Sequence, residues 1–539
     1  MAIITISDTG GNWNSVATWV GGVVPTITDD VVATATSGPL TLNISTAVAK
    51  SVNFTNYVNT LSLTTTNGAL NIAGNLTLSA GMTVTGTAGT FAFNASATWT
   101  SNGKTWTGNY IINIAALTIT LADAAVIDGN VTHASGGTTH TINGFTLNVN
   151  GNLTASSGRI FTGTTKYIFS TTTTQTITVS GTFQSDIDIN ASGTVTFGTF
   201  NYNTGTLTYI TGTVVTTGST LNLSNAGTPT LATNGISWNN ITISTGTTVT
   251  LTNALNVTGI FTYGSGGTPV TLNGSTATFS GDIIASGIND NGSILSGTTN
   301  IIIDGTGTWS HSSTFIATIT NNLTINTTGT LTLGARVGYN TGTLTYTSGD
   351  VVTSGSTLTI AGSATLDLGL MPTALNNLTT SGASPTITLL SDLYVSGTLT
   401  LTSTVTPVWT GNTLYIGGNL IHQTNSVHSG TTAFVMNGTG TYSSTSINCV
   451  IRNNFTINTT GKITFGALIT YNTGTFTYLS GKVVVPKNSL FLITSSATLI
   501  NCHKINFETV RITAGGTVTM NEFFSGSPNK PVIVISHSL

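Results

Sequence analysis

Apolar and polar residues alternate with a period of two along most of the chain. Segments such as LTITLAD, TVTLTN and LTLTSTV place an apolar side chain at every second position, with threonine at many of the others. Gly, Asn or Ser interrupts the alternation at roughly the 8–12-residue spacing that is typical of short strands joined by turns. Because successive side chains of a strand point to opposite faces, the pattern predicts half-buried strands. We therefore expect an all-β protein.

Internal repeats organise these strands into longer units. The octapeptide YNTGTLTY occurs at 202–209 and again at 339–346, and YNTGTFTY occurs at 471–478. The flanks repeat too, since NLTINTTGTLTLG (322–334) matches NFTINTTGKITFG (454–466). Such self-similarity is the sequence signature of a repeat architecture. We predict an N-terminal cap, a degenerate first unit and three repeats, with the boundaries 1–32, 33–139, 140–269, 270–405 and 406–539.

Two all-β architectures are compatible with this repetition. One is a right-handed parallel β-helix, a β-solenoid with rungs of roughly 20 residues that would form a rod. The alternative is a string of tandem β-sandwich domains. No Pro-rich or charged linker separates the repeats, and short self-similarities recur inside each of them. These features favour the solenoid.

Composition and charge narrow the class of protein. Only 5% of residues are charged and 39% are hydrophobic, which predicts a folded chain rather than a disordered one. The net charge of −3, without a basic stripe, argues against nucleic-acid binding. No apolar run approaches the length that inserts into a membrane as a helix, and the N-terminus lacks the features of a signal peptide. A virion protein fits this combination better than a secreted adhesin.

The first 32 residues differ from everything that follows them. They carry Trp13 and Trp19 in a Gly/Asn-rich setting, then Pro25 and the pair Asp29 and Asp30. A solenoid needs a cap because its end is an open strand edge. We expect the tryptophans to cover the first rung, Pro25 to offer no N–H to an added strand, and the aspartates to place charge at the entry to that rung. The tryptophan pair could also dock onto a larger assembly.

The pattern GNWNS-x-x-TW-x-GG-x-VP-x-x-x-DDV resembles the start of β-solenoid regions in bacterial surface adhesins and in structural proteins of tailed bacteriophages. The match covers about 25 residues, and the Thr/Gly/Asn-rich repeats are similar in texture. The resemblance implies an extracellular or virion fibre, commonly a homotrimer, and carries no catalytic residues.

Residues suited to catalysis are scarce. The only glutamates are Glu508 and Glu522, whereas glycoside hydrolysis normally needs two carboxylates. Asp186 and Asp188 are two positions apart, so they share one face of a strand. A pair of this kind is more often solvated surface than an acid/base or metal site. We therefore predict a protein that is not an enzyme and has no cofactor.

The cysteines and histidines do not form a recognisable metal motif. Cys449 and Cys502 are predicted to be buried free thiols rather than a disulfide framework. His422 and His428 are the histidines nearest one another in sequence. Cys502 and His503 are adjacent, and on a strand they would point to opposite faces. We predict no metal site.

Basic residues are concentrated at the C-terminal end. Seven of the twelve follow position 440, where only two glutamates oppose them, whereas residues 1–440 carry five basic and thirteen acidic groups. Repeat alignment places Lys482 where the earlier repeats have Thr213 and Asp350. The change is consistent with charged end-capping or with a surface for an anionic partner. The candidate partner-binding residues are Lys462, Lys482, Lys487, Lys504 and Arg511, with Arg452 and Lys530 also in this stretch.

The sequence thus favours a non-enzymatic virion structural protein of a tailed bacteriophage, a fibre for host-surface attachment or particle decoration. Expected partners are other virion proteins, a host surface glycan and further copies of the chain as a trimer, without nucleic acid and without membrane insertion. The alternatives are a secreted adhesin or surface-layer component at the bacterial cell surface, and a polysaccharide-degrading tailspike. The apolar tail PVIVISHSL could form a final strand.

Overall fold

A computed structural model of the chain describes residues 2–63, 68–112, 116–133, 139–224, 226–264, 268–286, 294–311, 318–402, 406–423, 425–513, 518–521 and 532–536. The described residues form strands and turns, with two single-turn 3₁₀ segments at Val16–Thr18 and Cys502–Lys504. Parallel strands stack in about 22 turns, so the fold is a β-solenoid. This confirms the predicted solenoid and excludes the tandem β-sandwiches. The handedness of the coils stays a prediction.

The strands in the first half of the chain are mostly two to five residues long, and three of them are much longer. Their bounds are Ile3–Thr5, Gly11–Asn12, Asp30–Val32, Leu40–Thr41, Ala47–Ala49, Ser51–Asn53, Thr60–Ser62, Ala69–Ile72, Leu76–Thr77, Thr83–Thr85, Thr90–Phe93, Ala97–Thr100, Thr105–Trp106, Asn109–Ile112, Leu117–Leu121, Ala125–Ile127, Val131–His133, Thr139–Gly144, Leu147–Val149, Leu153–Ala155, Ile160–Thr162, Tyr167–Phe169, Thr174–Phe183, Ile187–Tyr202, Gly205–Val215, Thr220–Leu223, Pro229–Ala232, Ser237–Trp238, Asn240–Ile243, Thr248–Leu251 and Leu255–Val257.

The second half of the chain continues in the same way, with four long strands among many short ones. Their bounds are Phe261–Tyr263, Val270–Gly274, Ala277–Phe279, Ile283–Ala285, Ile294–Ser296, Ile301–Ile303, Gly307–His311, Thr318–Ile319, Leu323–Leu333, Val337–Tyr339, Gly342–Val352, Thr357–Ile360, Ala364–Asp367, Asn377–Thr380, Thr386–Leu389, Leu393–Val395, Leu399–Leu401, Val408–Gly411, Leu414–Ile416, Leu420–His422, Val427–Gly430, Phe434–Met436, Gly440–Ser444, Val450–Ile451, Phe455–Phe465, Leu468–Tyr471, Gly474–Val484, Leu490–Ile493, Ala497–Ile500, Thr509–Thr513, Val518–Asn521 and Val532–Ser536.

The chain forms two compact units. One comprises Met1–Thr258 with Asn273–Ser275, and the other comprises Gly259–Leu272 with Thr276–Leu539. Within each unit a strand pairs in parallel with the strand one coil later. Leu147 lies opposite Tyr167, and Leu378 lies opposite Leu399, so a coil spans about 20 residues as the sequence predicts. The last of these strands, Val532–Ser536, is the one expected in the C-terminal tail, and it pairs with Thr509–Thr513 of the same chain.

The alternating pattern produces the core directly. In Leu117–Leu121 the three apolar residues are buried and the two threonines between them are exposed. Inward side chains of successive coils stack on one another, and outward threonines lie on the solvent face, where a branched Cβ suits the pleated backbone. Burial of the apolar surface of these inward residues is the main stabilising contribution.

Three pairs of long strands, one in each repeat, share one local structure. We call them the first long pair (Ile187–Tyr202 with Gly205–Val215), the second (Leu323–Leu333 with Gly342–Val352) and the third (Phe455–Phe465 with Gly474–Val484). In each pair the register shifts twice, immediately before and immediately after Asn190, Asn326 or Asn458. The repeats in the sequence therefore correspond to repeats of backbone geometry.

In the second long pair, the octapeptide YNTGTLTY (339–346) stabilises this geometry through its two tyrosines and its glycine. The hydroxyl of buried Tyr339 donates to the carbonyl of Asn321 at 2.9 Å, and the hydroxyl of Tyr346 donates to the carbonyl of Gly349 at 2.6 Å. Gly342 and Gly349 have φ values of +93° and +102°, which residues with a Cβ rarely adopt. The tyrosines and glycines are therefore retained because they shape the coil.

Candidate functional site

The N-terminal segment closes on its two tryptophans. The rings of Trp13 and Trp19 meet edge to face with centroids 5.0 Å apart, and the Trp19 indole N–H donates to the Trp13 carbonyl at 2.8 Å. Both side chains are buried, with 1% and 2% of their surface exposed. The backbone N–H of Trp13 also donates to the carbonyl of Thr41 in the next coil. The ring pair is therefore part of the packed interior and presents almost no surface to a partner.

The neighbouring cap residues have local structural roles. Pro25 is buried. Asp29 is 8% exposed and accepts hydrogen bonds from the backbone N–H of Ala2 and from Thr26, and these bonds lower the pKa of its carboxyl to about 2. Asp30 accepts a hydrogen bond from the hydroxyl of Ser51 at 2.6 Å, which contributes most to lowering its pKa. Both carboxylates join parts of the chain together.

Five aliphatic side chains of this segment are exposed to solvent, whereas its tryptophans are not. They have between 39% and 73% of their surface exposed, and they are Ile3, Val16, Val20, Val23 and Ile27. We call this set the cap aliphatic residues. Exposed aliphatic side chains grouped within one short segment are a feature of interaction sites.

The third long pair carries the two lysines that the structure brings together. Lys462 and Lys482 are direct register partners on adjacent strands, and both are exposed. Adjacent parallel strands are about 4.8 Å apart, so the two ammonium groups emerge side by side from one face. The equivalent partners are Thr194 with Thr213 in the first long pair and Thr330 with Asp350 in the second. We call Lys462 and Lys482 the lysine ladder.

The other predicted basic residues lie elsewhere. Lys487 is exposed in the turn that follows the third long pair, next to Asn488, whose N–H donates to the carboxylate of Glu508. Lys504 is exposed in the 3₁₀ segment, and Arg511 is exposed on a strand opposite Leu492. Of the predicted residues that the structure describes, Lys462 and Lys482 are register partners, whereas the other three lie in a turn, a 3₁₀ segment and another strand. Lys530 lies outside the described residues.

The carboxylate pair that we considered for catalysis lies on the outward face of its strand, as expected. Asp188 forms an ion pair with Lys166 at 3.2 Å, and the Asp186 carboxylate accepts a hydrogen bond from the Thr206 N–H at 2.8 Å. The equivalent residues of the second long pair are Asn322 and Thr324, which are the neighbours of the apolar Leu323. Both aspartates therefore interact with adjacent coils. Glu522 lies outside the described residues.

The two histidines of the third repeat face each other inside the core. Ser426 Oγ lies 2.8 Å from His422 Nε2 and 3.2 Å from His428 Nε2, and the Trp409 indole N–H donates to His428 Nδ1 at 3.2 Å. The Trp409 bond leaves Nδ1 of His428 without a proton, so its Nε2–H donates to Ser426, whose hydroxyl donates to His422. Burial lowers the pKa of His422 to about 4 and lowers that of His428 well below its ordinary value.

The two cysteines are buried free thiols, as predicted. Burial raises the pKa of the Cys502 thiol to about 12, which makes it a poor nucleophile. Our placement of Cys502 and His503 on a strand is wrong, because the two residues begin the 3₁₀ segment that follows Ala497–Ile500. Across the described ranges, no group of three or more His, Cys, Asp or Glu side chains is placed to hold a metal ion.

Sequence reasoning missed a pair of stacked tyrosines on the outer surface. Tyr394 and Tyr415 are register partners on adjacent coils, and their rings are parallel within 4° with centroids 4.6 Å apart. The signal was available, because LYV at 393–395 and LYI at 414–416 are one coil length apart.

Comparisons with protein-family models, with curated proteins and with solved structures give no significant match. In the part of the chain that the structure describes, no helix has the length and apolar character needed to cross a membrane.

Proposed function

We propose that this chain is a non-enzymatic structural protein of a tailed-bacteriophage virion, a fibre that attaches the particle to the host surface or decorates it. It acts as a homo-oligomer, a trimer, with other virion proteins as neighbours. The proposal is supported by the solenoid fold, by the scarcity of charge and by the resemblance of the N-terminal motif to those of phage and adhesin solenoids.

The observation that carries the attachment role is the lysine ladder. The three long pairs have the same backbone register, so the change from Thr and Asp to two lysines is a change of surface chemistry alone. Like charges placed directly opposite one another destabilise a sheet, and their presence needs another reason. An anionic partner, such as an acidic glycan of the host surface or an acidic neighbouring subunit, supplies that reason.

The N-terminal segment is the part that we assign to the particle. Its tryptophans are buried, and the cap aliphatic residues are exposed side chains that a virion protein would cover. A non-enzymatic role is supported by the aspartate pair, since Asp186 and Asp188 are bonded to adjacent coils. We propose no cofactor, no nucleic-acid partner and no membrane insertion.

Electron microscopy of the native source particle, labelled with an antibody to residues 1–32, tests the location. Label at the base of fibres on a phage particle is the expected result. Label on cell-surface filaments without a capsid would overturn the virion location in favour of a bacterial adhesin. A reducing-sugar assay on host capsule tests the non-enzymatic role, which clear depolymerisation would overturn.

A further inference from the structure

Tyr394 of the stacked pair forms part of the wall of a surface cleft. Tyr415 covers one face of the Tyr394 ring, and the opposite face points toward the preceding coil. There the bridge between Leu375 and Val395 places Ala374 opposite Tyr394. Because alanine has no ring, the stack stops at Tyr394, and a cleft of about 280 Å³ opens between that tyrosine and the loop 368–374.

An insertion in the second repeat creates this cleft. By strand register, Leu366 and Asn377 correspond to Leu231 and Asn240 of the first repeat. Eleven positions separate the second-repeat residues and nine separate those of the first, so the intervening loop is two residues longer. In the same alignment the first repeat has Asn256 in place of Tyr394. The longer loop and the aromatic ring therefore occur together in the second repeat.

The walls of the cleft are held in place by hydrogen bonds. The backbone N–H of Gly369 donates to Ser391 Oγ at 2.8 Å, and the Ser391 hydroxyl donates to the carboxylate of Asp367 at 2.9 Å. On the other side, the Thr373 hydroxyl donates to the carbonyl of Val351 at 2.6 Å. Asp392 precedes the tyrosine strand, and its carboxylate accepts from the Thr413 N–H at 2.9 Å. The site is thus largely pre-organised for a ligand.

The chemistry of the cleft is mixed. Tyr394 has 44% of its surface exposed and presents a flat aromatic face. The residues that line the cleft, including Met371, Pro372 and Thr373, are uncharged, so the lining offers no cation to pair with an anionic group. A ligand that fits has an apolar face for the ring and hydroxyl groups for the polar atoms of the lining, and it carries no negative charge.

A neutral hexopyranose has these properties. One face of the sugar ring carries C–H groups that pack on the negative face of an aromatic ring, and its edge carries hydroxyls that can donate to the hydroxyl oxygen of Thr373 in the lining. The volume is slightly below the usual range for ligand pockets, which limits the site to a single ring. We infer that the cleft between Tyr394 and the loop 368–374 is a subsite for a neutral pyranose of a surface glycan. The biological role of this subsite rests on the proposed attachment function.

Saturation-transfer NMR on the full chain tests the inference. The probes are methyl α-D-glucopyranoside, methyl β-D-galactopyranoside and N-acetylglucosamine, with sialic acid as the anionic comparison. We expect saturable transfer to the ring C–H protons of at least one neutral sugar and none to sialic acid. Absence of transfer to every neutral sugar, or equal transfer to sialic acid, would overturn the inference.

Three variants locate the binding. Tyr394→Asn introduces the first-repeat residue and should weaken binding about tenfold by removing the stacking face. Tyr394→Phe keeps the face and should retain binding, and Ala374→Phe should abolish binding by filling the cleft from the other side. Unchanged binding in both Tyr394→Asn and Ala374→Phe would place the sugar elsewhere and reject the site. Antibody labelling of particles that carry Tyr394→Asn distinguishes failure of the sugar site from failure of the fibre proposal. The label should stay at the fibre base in either case of sugar binding, because fibre location does not depend on the cleft.

Discussion

The long pairs of the second and third repeats have the same backbone register and different outward side chains. Their long pairs share both register shifts, the buried tyrosine and the two glycines with positive φ. On the outer face, Thr330 and Asp350 of the second correspond to Lys462 and Lys482 of the third. The comparison shows that inward residues and a few glycines determine the coil, and that outward positions can change without altering it.

The core of these repeats differs in polarity at the position of Ala285. In the alignment of FSGDIIASG (279–287) with IGGNLIHQT (416–424), Ala285 corresponds to His422. Ala285 is a small buried residue, whereas His422 belongs to the hydrogen-bonded group with Ser426, His428 and Trp409. Hydrogen bonding to Ser426 offsets part of the cost of burying the His422 ring, whose Nδ1 has no partner. The third repeat therefore differs in its interior as well as on its surface.

The largest effect is expected from the shared glycines. Gly349→Ala and Gly481→Ala place a Cβ at φ values of +102° and +109°, against Thr327 and Thr459 respectively. The strain and the clash together should cost about 2–5 kcal/mol of local stability in either repeat. Hydrogen exchange of the two long pairs measures the loss. Gly355→Ala controls for the clash, because its φ is +75° and its added Cβ meets nothing within 4 Å, so it should lose only the smaller part that comes from backbone strain. A loss in only one repeat would contradict the shared geometry.

The second-largest effect should be the pH dependence of the stability of the third repeat. The pKa of His422 is about 4 in the folded state, against 6.5 for an ordinary histidine. Between these values the unfolded chain binds more protons than the folded one, so stability falls as the pH decreases from about 6.5 toward about 4. The loss is on the order of 3 kcal/mol from this residue, and His428 adds to it. Urea unfolding at several pH values measures the slope.

His422→Ala, which introduces the residue of the second repeat, is the matched variant for that prediction. It should lower stability at neutral pH by leaving a cavity, and it should make the pH slope between 6.5 and 4 shallower. Buried His133 and His140 contribute the same pH dependence of stability to the wild-type chain and to the variant. An unchanged slope would mean that the histidine pair is already charged or solvated in the folded state.

The buried tyrosine hydroxyls should give a smaller and graded effect. Tyr339→Phe and Tyr471→Phe each remove a 2.9 Å hydrogen bond to a buried backbone carbonyl, which should cost about 1–3 kcal/mol. Tyr202→Phe removes a longer bond of 3.3 Å to the Ser185 carbonyl and should cost less. Urea unfolding of the three variants tests the order. Equal losses of the free energy of unfolding in all three variants would contradict the expectation that the longer hydrogen bond of Tyr202 contributes less.

The smallest effect on stability and the largest on binding should come from the lysine ladder. Lys462→Thr with Lys482→Thr reproduces the first long pair and should change stability by less than about 0.5 kcal/mol. Adsorption of particles to host cells should weaken, with a reduced dependence on salt. The reciprocal variant, Thr330→Lys with Asp350→Lys, tests whether position matters. Unchanged adsorption in the first double variant would remove the ladder from the attachment role.

Much of the fold follows from the sequence because its signals are local or strictly repeated. Alternation of apolar residues with threonine predicts the strands. Recurrence of YNTGTLTY aligns the repeats well enough to show that Lys482 of the third repeat occupies the position of Asp350 in the second. The buried state of Cys449 and Cys502 also follows from composition alone. The cap stays a prediction from its atypical composition, and no signal in the sequence indicated the hydrogen bonds that Asp29 accepts from Ala2 and Thr26.

The sequence by itself determined the strand pattern, the solenoid class and the repeat alignment. Only the tertiary structure decided which outward residues are neighbours, because coil lengths change by a few residues at each corner. Leu378 and Leu399 are 21 positions apart, whereas Leu153 and Ile177 are 24 apart. Such shifts place Lys462 beside Lys482 and Tyr415 against Tyr394, whose other face is left open by Ala374. They also bring His422 and His428 to the same serine, Ser426. Contacts between coils depend on this accumulated register, which no local pattern specifies.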